Sequence, residues 1–215
     1  MTRIPPSVPP ATVTAAGSSW PDDRFHRLAA EAMLETLRGE LLSHPSATLV
    51  LERWCRIHRL ADGPVRAERQ AVPDLPLPGD GAALLQIGAD EPVRYRRVAL
   101  RCGGRLLSEA DNWYVPGRLT ADMNRTLDNS DTPFGKVVAP LGFRRETLSS
   151  RLLWRPLPED WATASPPALP PGGVLAIPPS LFETSARLMD RNNRPIALVR
   201  ETYKQDVLAV APPRP

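Results

Sequence analysis

Apolar side chains recur at steps of three and four early in the chain and at steps of two later on. Phe25, Leu28, Ala32, Leu34, Leu37 and Leu41 trace one helical face. The acidic pair Asp22-Asp23 suits the start of that helix, and Pro45 ends it. Ser46 is positioned to cap a second helix carrying Leu49, Val50, Trp54 and Ile57, closed by Asp62-Gly63-Pro64. From there the period falls to two, predicting strands over 64–72, 92–102, 105–115, 142–154, 175–189 and 196–210. Gly103-Gly104 and Asp190-Arg191-Asn192-Asn193 supply hairpin turns. Residues 73–92 read as a loop with a short helical piece at 82–88. Thr120 caps a short helix through Met123 and Leu127, and Thr132-Pro133 opens another. Two helices followed by antiparallel strands with short helices between them predict an α+β domain, its helices packed on one face of an antiparallel sheet.

Composition refines this picture at the edges. Of 26 prolines, five fall in residues 1–21, eight in 156–179 and three in the last four positions of the 215-residue chain. The expected organisation is a disordered Pro-rich tail (1–21), one domain (22–210) with a Pro-rich insertion at 155–173, and a tail at 211–215. No run approaches the ~20 apolar residues of a membrane span, and the N-terminus lacks the apolar region of a signal peptide, so a cytoplasmic location is expected. Formal net charge is +3, with only Lys136 and Lys204 as lysines among 27 basic residues. No basic stripe with interleaved aromatics runs along the chain, and residues 22–60 carry no basic recognition helix, so nucleic acid is not an expected partner. Cys55 and Cys102 form no disulfide framework, Cys55 reads as a packing residue, and the three histidines give no metal set.

Candidate chemistry comes from charges on apolar strand faces. Val93, Tyr95, Arg97 and Ala99 share one face of the 92–102 strand, with Arg94 and Arg96 pointing the other way. Ala197, Val199, Glu201 and Tyr203 share a face of the last strand. An unpaired buried charge costs several kcal/mol, so Arg97 and Glu201 each need a partner. They either pair in the core or line a pocket, the arginine holding an anion and the glutamate exchanging a proton. Thr132-Pro133-Phe134-Gly135 adds a helix start with a glycine, a candidate carboxylate seat or an ordinary cap.

Four segments, 94–102 (RYRRVALRC), 113–116 (WYVP), 131–136 (DTPFGK) and 194–203 (RPIALVRETY), resemble bacterial chorismate lyase in order and spacing. The resemblance covers roughly residues 46–210, and the same fold occurs in effector-binding domains of some transcription regulators. It implies a cofactor-free carbon–oxygen lyase that eliminates pyruvate from chorismate to give 4-hydroxybenzoate for ubiquinone biosynthesis, with no metal. It places the catalytic roles on Arg97 and Glu201 and a ligand-carboxylate contact on Phe134; Gly135 of the same helix start and Tyr95 of the Arg97 face are the further candidate substrate-binding residues. The alternative is a non-catalytic domain of the same fold that binds a small aromatic or cyclic carboxylate. Two departures stand out. Asp111-Asn112 replaces the family's Gly-Arg, putting an acid beside a dianionic ligand. One extra residue lies between Pro195 and Glu201, which turns the glutamate to the other face unless a bulge absorbs it.

Overall fold

The structure is a computed structural model, and it describes residues 19–88, 90–161, 163 and 172–214. Helices α1 (Arg24–Ser43) and α2 (Ala47–Ile57) come first, and each begins at an expected cap. The Asp23 carboxylate accepts from His26 N–H, and Ser46 Oγ accepts from Leu49 N–H. Strands β1 (Val65–Arg69), β2 (Arg94–Cys102), β3 (Arg105–Tyr114), β4 (Arg144–Leu152), β5 (Ser180–Met189) and β6 (Pro195–Lys204) form one antiparallel sheet in the order β1-β2-β3-β6-β5-β4. The chain is therefore α+β, as its patterning predicts. Strand β5 begins at Ser180 rather than 175, because Pro178 and Pro179 lack the N–H a ladder needs. Strand β6 ends at Lys204, and 205–208 forms a single 3-10 turn.

Both faces of the central strands are covered, which departs from the one-sided packing expected. On the inner face, Leu34, Leu37, Leu51 and Trp54 of α1 and α2 pack over Val98, Leu100 and Tyr203. Beside them α4 (Ala121–Asn129) and α5 (Phe134–Val138) pack Met123, Leu127 and Phe134 onto Tyr114 and Val199. On the outer face the short α3 (Gly81–Leu85) sets Leu85 against Trp113 and Leu198. Helices α1 and α2 thus belong to the core of this domain through Leu34, Leu37, Leu41, Leu51 and Trp54, whereas Phe25, Leu49 and Ile57 of the predicted faces are exposed.

The expected domain limits shift at the N-terminal end. Residues 1–18 of the predicted tail lie outside the described residues, but Trp20 is 1% exposed and its indole Nε1 donates to Leu208 O at 2.9 Å. Pro21 forms an antiparallel bridge with Val174. Within the predicted insertion, residues 162 and 164–171 lie outside the described residues, while Leu157 is buried. Residue 215 of the C-terminal tail also lies outside them, and Pro213 O stands 3.2 Å from His26 Nε2.

The expectation for the two cysteines is corrected. Cys55 on α2 and Cys102 at the end of β2 form a disulfide, with their Cα atoms 6.4 Å apart. Both are fully buried, so the packing reading of Cys55 stands beside the bond.

Candidate functional site

Two irregularities in the ladder decide what faces what. Leu188 pairs with Ala197 and Met189 with Pro195, so Ile196 is an extra residue on β6. This bulge absorbs the residue that would otherwise have turned Glu201 outward. Across the sheet, Arg96, Asn112 and Val199 then form one inner-face row, and Val98, Ala110, Glu201 and Thr184 form the next. Arg97, Asp111 and Arg200 form a row on the opposite face.

A cleft opens on the inner face. Its floor is Val98, Leu100, Ala110, Asn112, Val199 and Glu201, and its walls are the starts of α2 (Pro45–Thr48) and α5 (Pro133–Gly135). Phe143, Arg145 and Leu188 close the β4 side. Lys136 of α5 donates to Glu52 of α2 at 2.6 Å, tying the two helix starts together. The cavity is about 40 Å³, against ~150 Å³ for one that holds benzene. A carboxylate-sized group fits as it stands, and a ring needs the mouth to widen. Phe143 is half-buried there, and a Cβ added at Gly135 would meet its ring tip at 3.9 Å. That is ordinary contact, so the fold itself does not demand glycine at this point.

Glu201 lies in the cleft, 5% exposed and heavily engaged. Its Oε2 accepts from Arg145 Nη2 at 2.7 Å, Tyr203 OH at 3.1 Å and Thr184 Oγ1 at 3.4 Å. Arg145 also donates to Thr184 Oγ1 at 3.2 Å, and its Nε is buried without a partner among the described residues. Burial works to lower the Arg145 pKa, but the Glu201 charge beside it raises it on balance. Tyr203 is pushed well above its ordinary value by burial and by the neighbouring carboxylate.

Arg97 does not join Glu201, and the expected Arg–Glu couple is corrected. The Arg97 guanidinium sits on the outer face, donating to Glu109 at 3.0 Å and to Asp111 at 3.5 Å. Tyr95 shares that face, its hydroxyl donating to Asp111 at 2.6 Å, and burial with the Asp111 charge pushes it up to about 12. Arg200 completes the cluster at 2.9 Å from Asp111. The acid of the Asp111-Asn112 pair therefore faces away from the cleft, and only Asn112 lines it. The physical reason is the two-sided burial. Tyr95 and Val93 look like a core face because α3 and Trp113 cover them, while Val98 and Leu100 mark the true inner side.

The arginine that faces inward is Arg96. It is 3% exposed, and Nη2 donates to Ser130 O at 2.8 Å. Its Nε and Nη1 are buried with no partner among the described residues, and no carboxylate pairs with it there. Burial and the nearby Arg69 charge lower its pKa. Of the sequence-selected residues, Glu201, Phe134 and Gly135 meet in the cleft, and Arg97 and Tyr95 do not. Sequence reasoning missed Arg145 and Thr184. Arg96 carried a signal, since it shares its alternation with Val98 and Leu100, whereas Arg145 sits in an Arg-Arg-Glu run with no pattern to mark it.

Among the described residues no cluster of His, Cys, Asp and Glu is arranged to hold a metal ion, and no helix is long and apolar enough to cross a membrane.

The fold is similar to that of PhnF from Mycobacterium smegmatis, which superposes over 91% of both chains with a TM-score of 0.51 at 15% identity. The effector domain of PhnF alone covers 66% of this chain and 82% of its own, with a TM-score of 0.44 at 16% identity. A GntR-family transcriptional regulator from Enterococcus faecalis V583 covers 65% of this chain and 93% of its own, with a TM-score of 0.40 at 11% identity. At 15% identity the likeness to PhnF is one of fold. No family model matches the chain. The chain belongs to the family of the uncharacterized protein y4mC of Sinorhizobium fredii (strain NBRC 101917 / NGR234), 44% identical over 206 residues that cover 94% of this chain and 87% of that protein.

Proposed function

We propose that this chain is a binding domain for a small aromatic carboxylate, held in the inner cleft without turnover. The observation that carries the reading is Arg96, a guanidinium at 3% exposure with two buried nitrogens unpartnered among the described residues. Such a group is costly to leave empty-handed, and an acid that reached it past Asn112 would complete it. Arg96 itself does not line that cleft but a neighbouring hollow with Arg69, Gln70 and Asp74, while its row neighbours Asn112 and Val199 line the cleft. The apolar side chains of Phe134, Phe143, Leu188 and Val98 suit a ring behind the acid.

Chorismate cleavage asks for a group that moves a proton at the ether oxygen. Glu201 is the cleft's acidic candidate, and it is spent on an ion pair with Arg145 reinforced by Tyr203 and Thr184. A carboxylate in that arrangement accepts hydrogen bonds rather than donating a proton, which favours retention of a ligand over elimination. The unit we assign to this function spans residues 20–210, one domain that includes Trp20.

Purified protein with 4-hydroxybenzoate in a thermal-unfolding assay, and with chorismate in a turnover assay, tests the reading. Stabilisation by 4-hydroxybenzoate without formation of product from chorismate is expected. Sustained release of 4-hydroxybenzoate and pyruvate from chorismate would instead establish the lyase.

A further inference from the structure

A second cavity opens where β1 leaves the sheet. Strand β1 stops at Arg69, opposite Val98, and one further bond, Gln70 N–H to Arg97 O at 2.9 Å, ends the ladder. Pro73 has no N–H to extend it, and the chain turns away while β2 runs on to Arg94. Residues 69–72 and Asp74 form one wall of the resulting hollow, and Tyr95, Arg96 and Arg97 form the other. Its volume is about 340 Å³, within the ~300–1,000 Å³ usual for ligand pockets. Unlike the cleft, it takes a small molecule without widening.

We propose that this hollow is a second anion site, separate from the cleft, that takes a tetrahedral oxyanion, sulfate or a phosphoryl group, among Arg69, Arg96 and Arg97. Three arginines line it against a single acid, Asp74. Arg69 arrives from β1, and Arg96 and Arg97 leave β2 on opposite faces. Donors on three sides suit a group with four oxygens in three dimensions better than a planar carboxylate. The Arg69 side chain is held by a backbone carbonyl, Asp128 O, at 2.7 Å, and Arg96 keeps two nitrogens without a partner among the described residues. Arg69 also helps to lower the Arg96 pKa, and an anion between the two removes that repulsion. Arg97 is the most engaged of the three, although its acids Glu109 and Asp111 are shared with Lys204 and Arg200. Of the acids behind the wall, Asp131 accepts from the Arg69 backbone N–H and Asp128 pairs with Arg94. The site does not depend on the carboxylate reading of the cleft. The two meet at Arg96, so an anion in the hollow and an acid in the cleft oppose each other's binding.

Sulfate and nitrate, a tetrahedral and a planar probe, are titrated into 15N-labelled protein at constant ionic strength made up with sodium chloride. The Arg96 Nε–H resonance reports occupancy. Saturable movement is expected, with sulfate bound about tenfold more tightly than nitrate. Arg69→Met should weaken sulfate about tenfold, and Asp74→Asn, which removes the one acid of the lining, should tighten it about threefold. Both positions are exposed, so both variants should fold. Movement equal in sulfate, nitrate and chloride, or sulfate affinity that neither variant changes, would overturn the site. Sulfate should also weaken 4-hydroxybenzoate at constant ionic strength, and Arg69→Met should relieve that antagonism. Sulfate bound with 4-hydroxybenzoate affinity unmoved would refute the sharing of Arg96. Sulfate bound with no binding of 4-hydroxybenzoate at all would sink the cleft reading and leave the hollow standing.

Discussion

Arg96 and Arg97 are adjacent in sequence and opposite in situation. Arg97 has two acids within 3.5 Å on a half-exposed face, which is the ordinary state of a surface arginine. Arg96 has no carboxylate at ion-pair distance among the described residues and a single backbone acceptor, Ser130 O, for one of its three nitrogens. A group retained at a cost to stability is a mark of function, and the sign of that cost is measurable. Replacing Arg96 by methionine keeps the stem's packing and removes the buried charge. In urea unfolding of the ligand-free protein, Arg96→Met should leave stability unchanged or raise it by about 1–3 kcal/mol. A loss greater than about 1 kcal/mol, the typical net worth of one hydrogen bond, would show that Arg96 serves the fold through Ser130 instead. The residue-level reading of the sequence found the inward glutamate and placed the arginine one position off. Alternation alone could not choose a side, because both faces of β2 carry apolar residues under cover.

Among the elements, helix caps and hairpin turns were the most legible features. Asp23, Ser46 and Thr120 each cap the helix predicted for them, and Asn193 takes the positive φ of 60° that the Asp190–Asn193 turn requires. Proline set the limits of β5, but only the ladder shows that the bulge at Ile196 turns Glu201 inward. What local pattern could not show is attachment over distance. Trp20 lies in a stretch whose composition predicts disorder, yet its indole reaches Leu208, 188 positions away. The Cys55–Cys102 bond is equally non-local, joining α2 to β2 across 47 positions. If the segment around Trp20 is part of the folded unit, Trp20→Ala should cost about 3–5 kcal/mol in denaturant unfolding, the usual range for a buried tryptophan. A change below 1 kcal/mol would return the domain boundary to residue 22.

At the scale of the whole molecule, the order of helices and strands was enough to predict an α+β domain, and PhnF shares the resulting fold. The family tie to y4mC extends over nearly the full chain and leaves the ligand to be argued from the cleft. The sheet divides its charges into an outer cluster, where Arg97, Arg200 and Lys204 pair with Asp111 and Glu109, and an inner face, where Arg145 pairs with Glu201 and Arg96 has no ion-pair partner among the described residues. These two sides make different predictions about where an acid binds. A crystal structure of the protein with 4-hydroxybenzoate separates them directly. The ligand is expected in the inner cleft between the starts of α2 and α5, its carboxylate at the Asn112 end of the floor, toward Arg96. Density on the outer face beside Arg97 and Tyr95, with the inner cleft unoccupied, would contradict it.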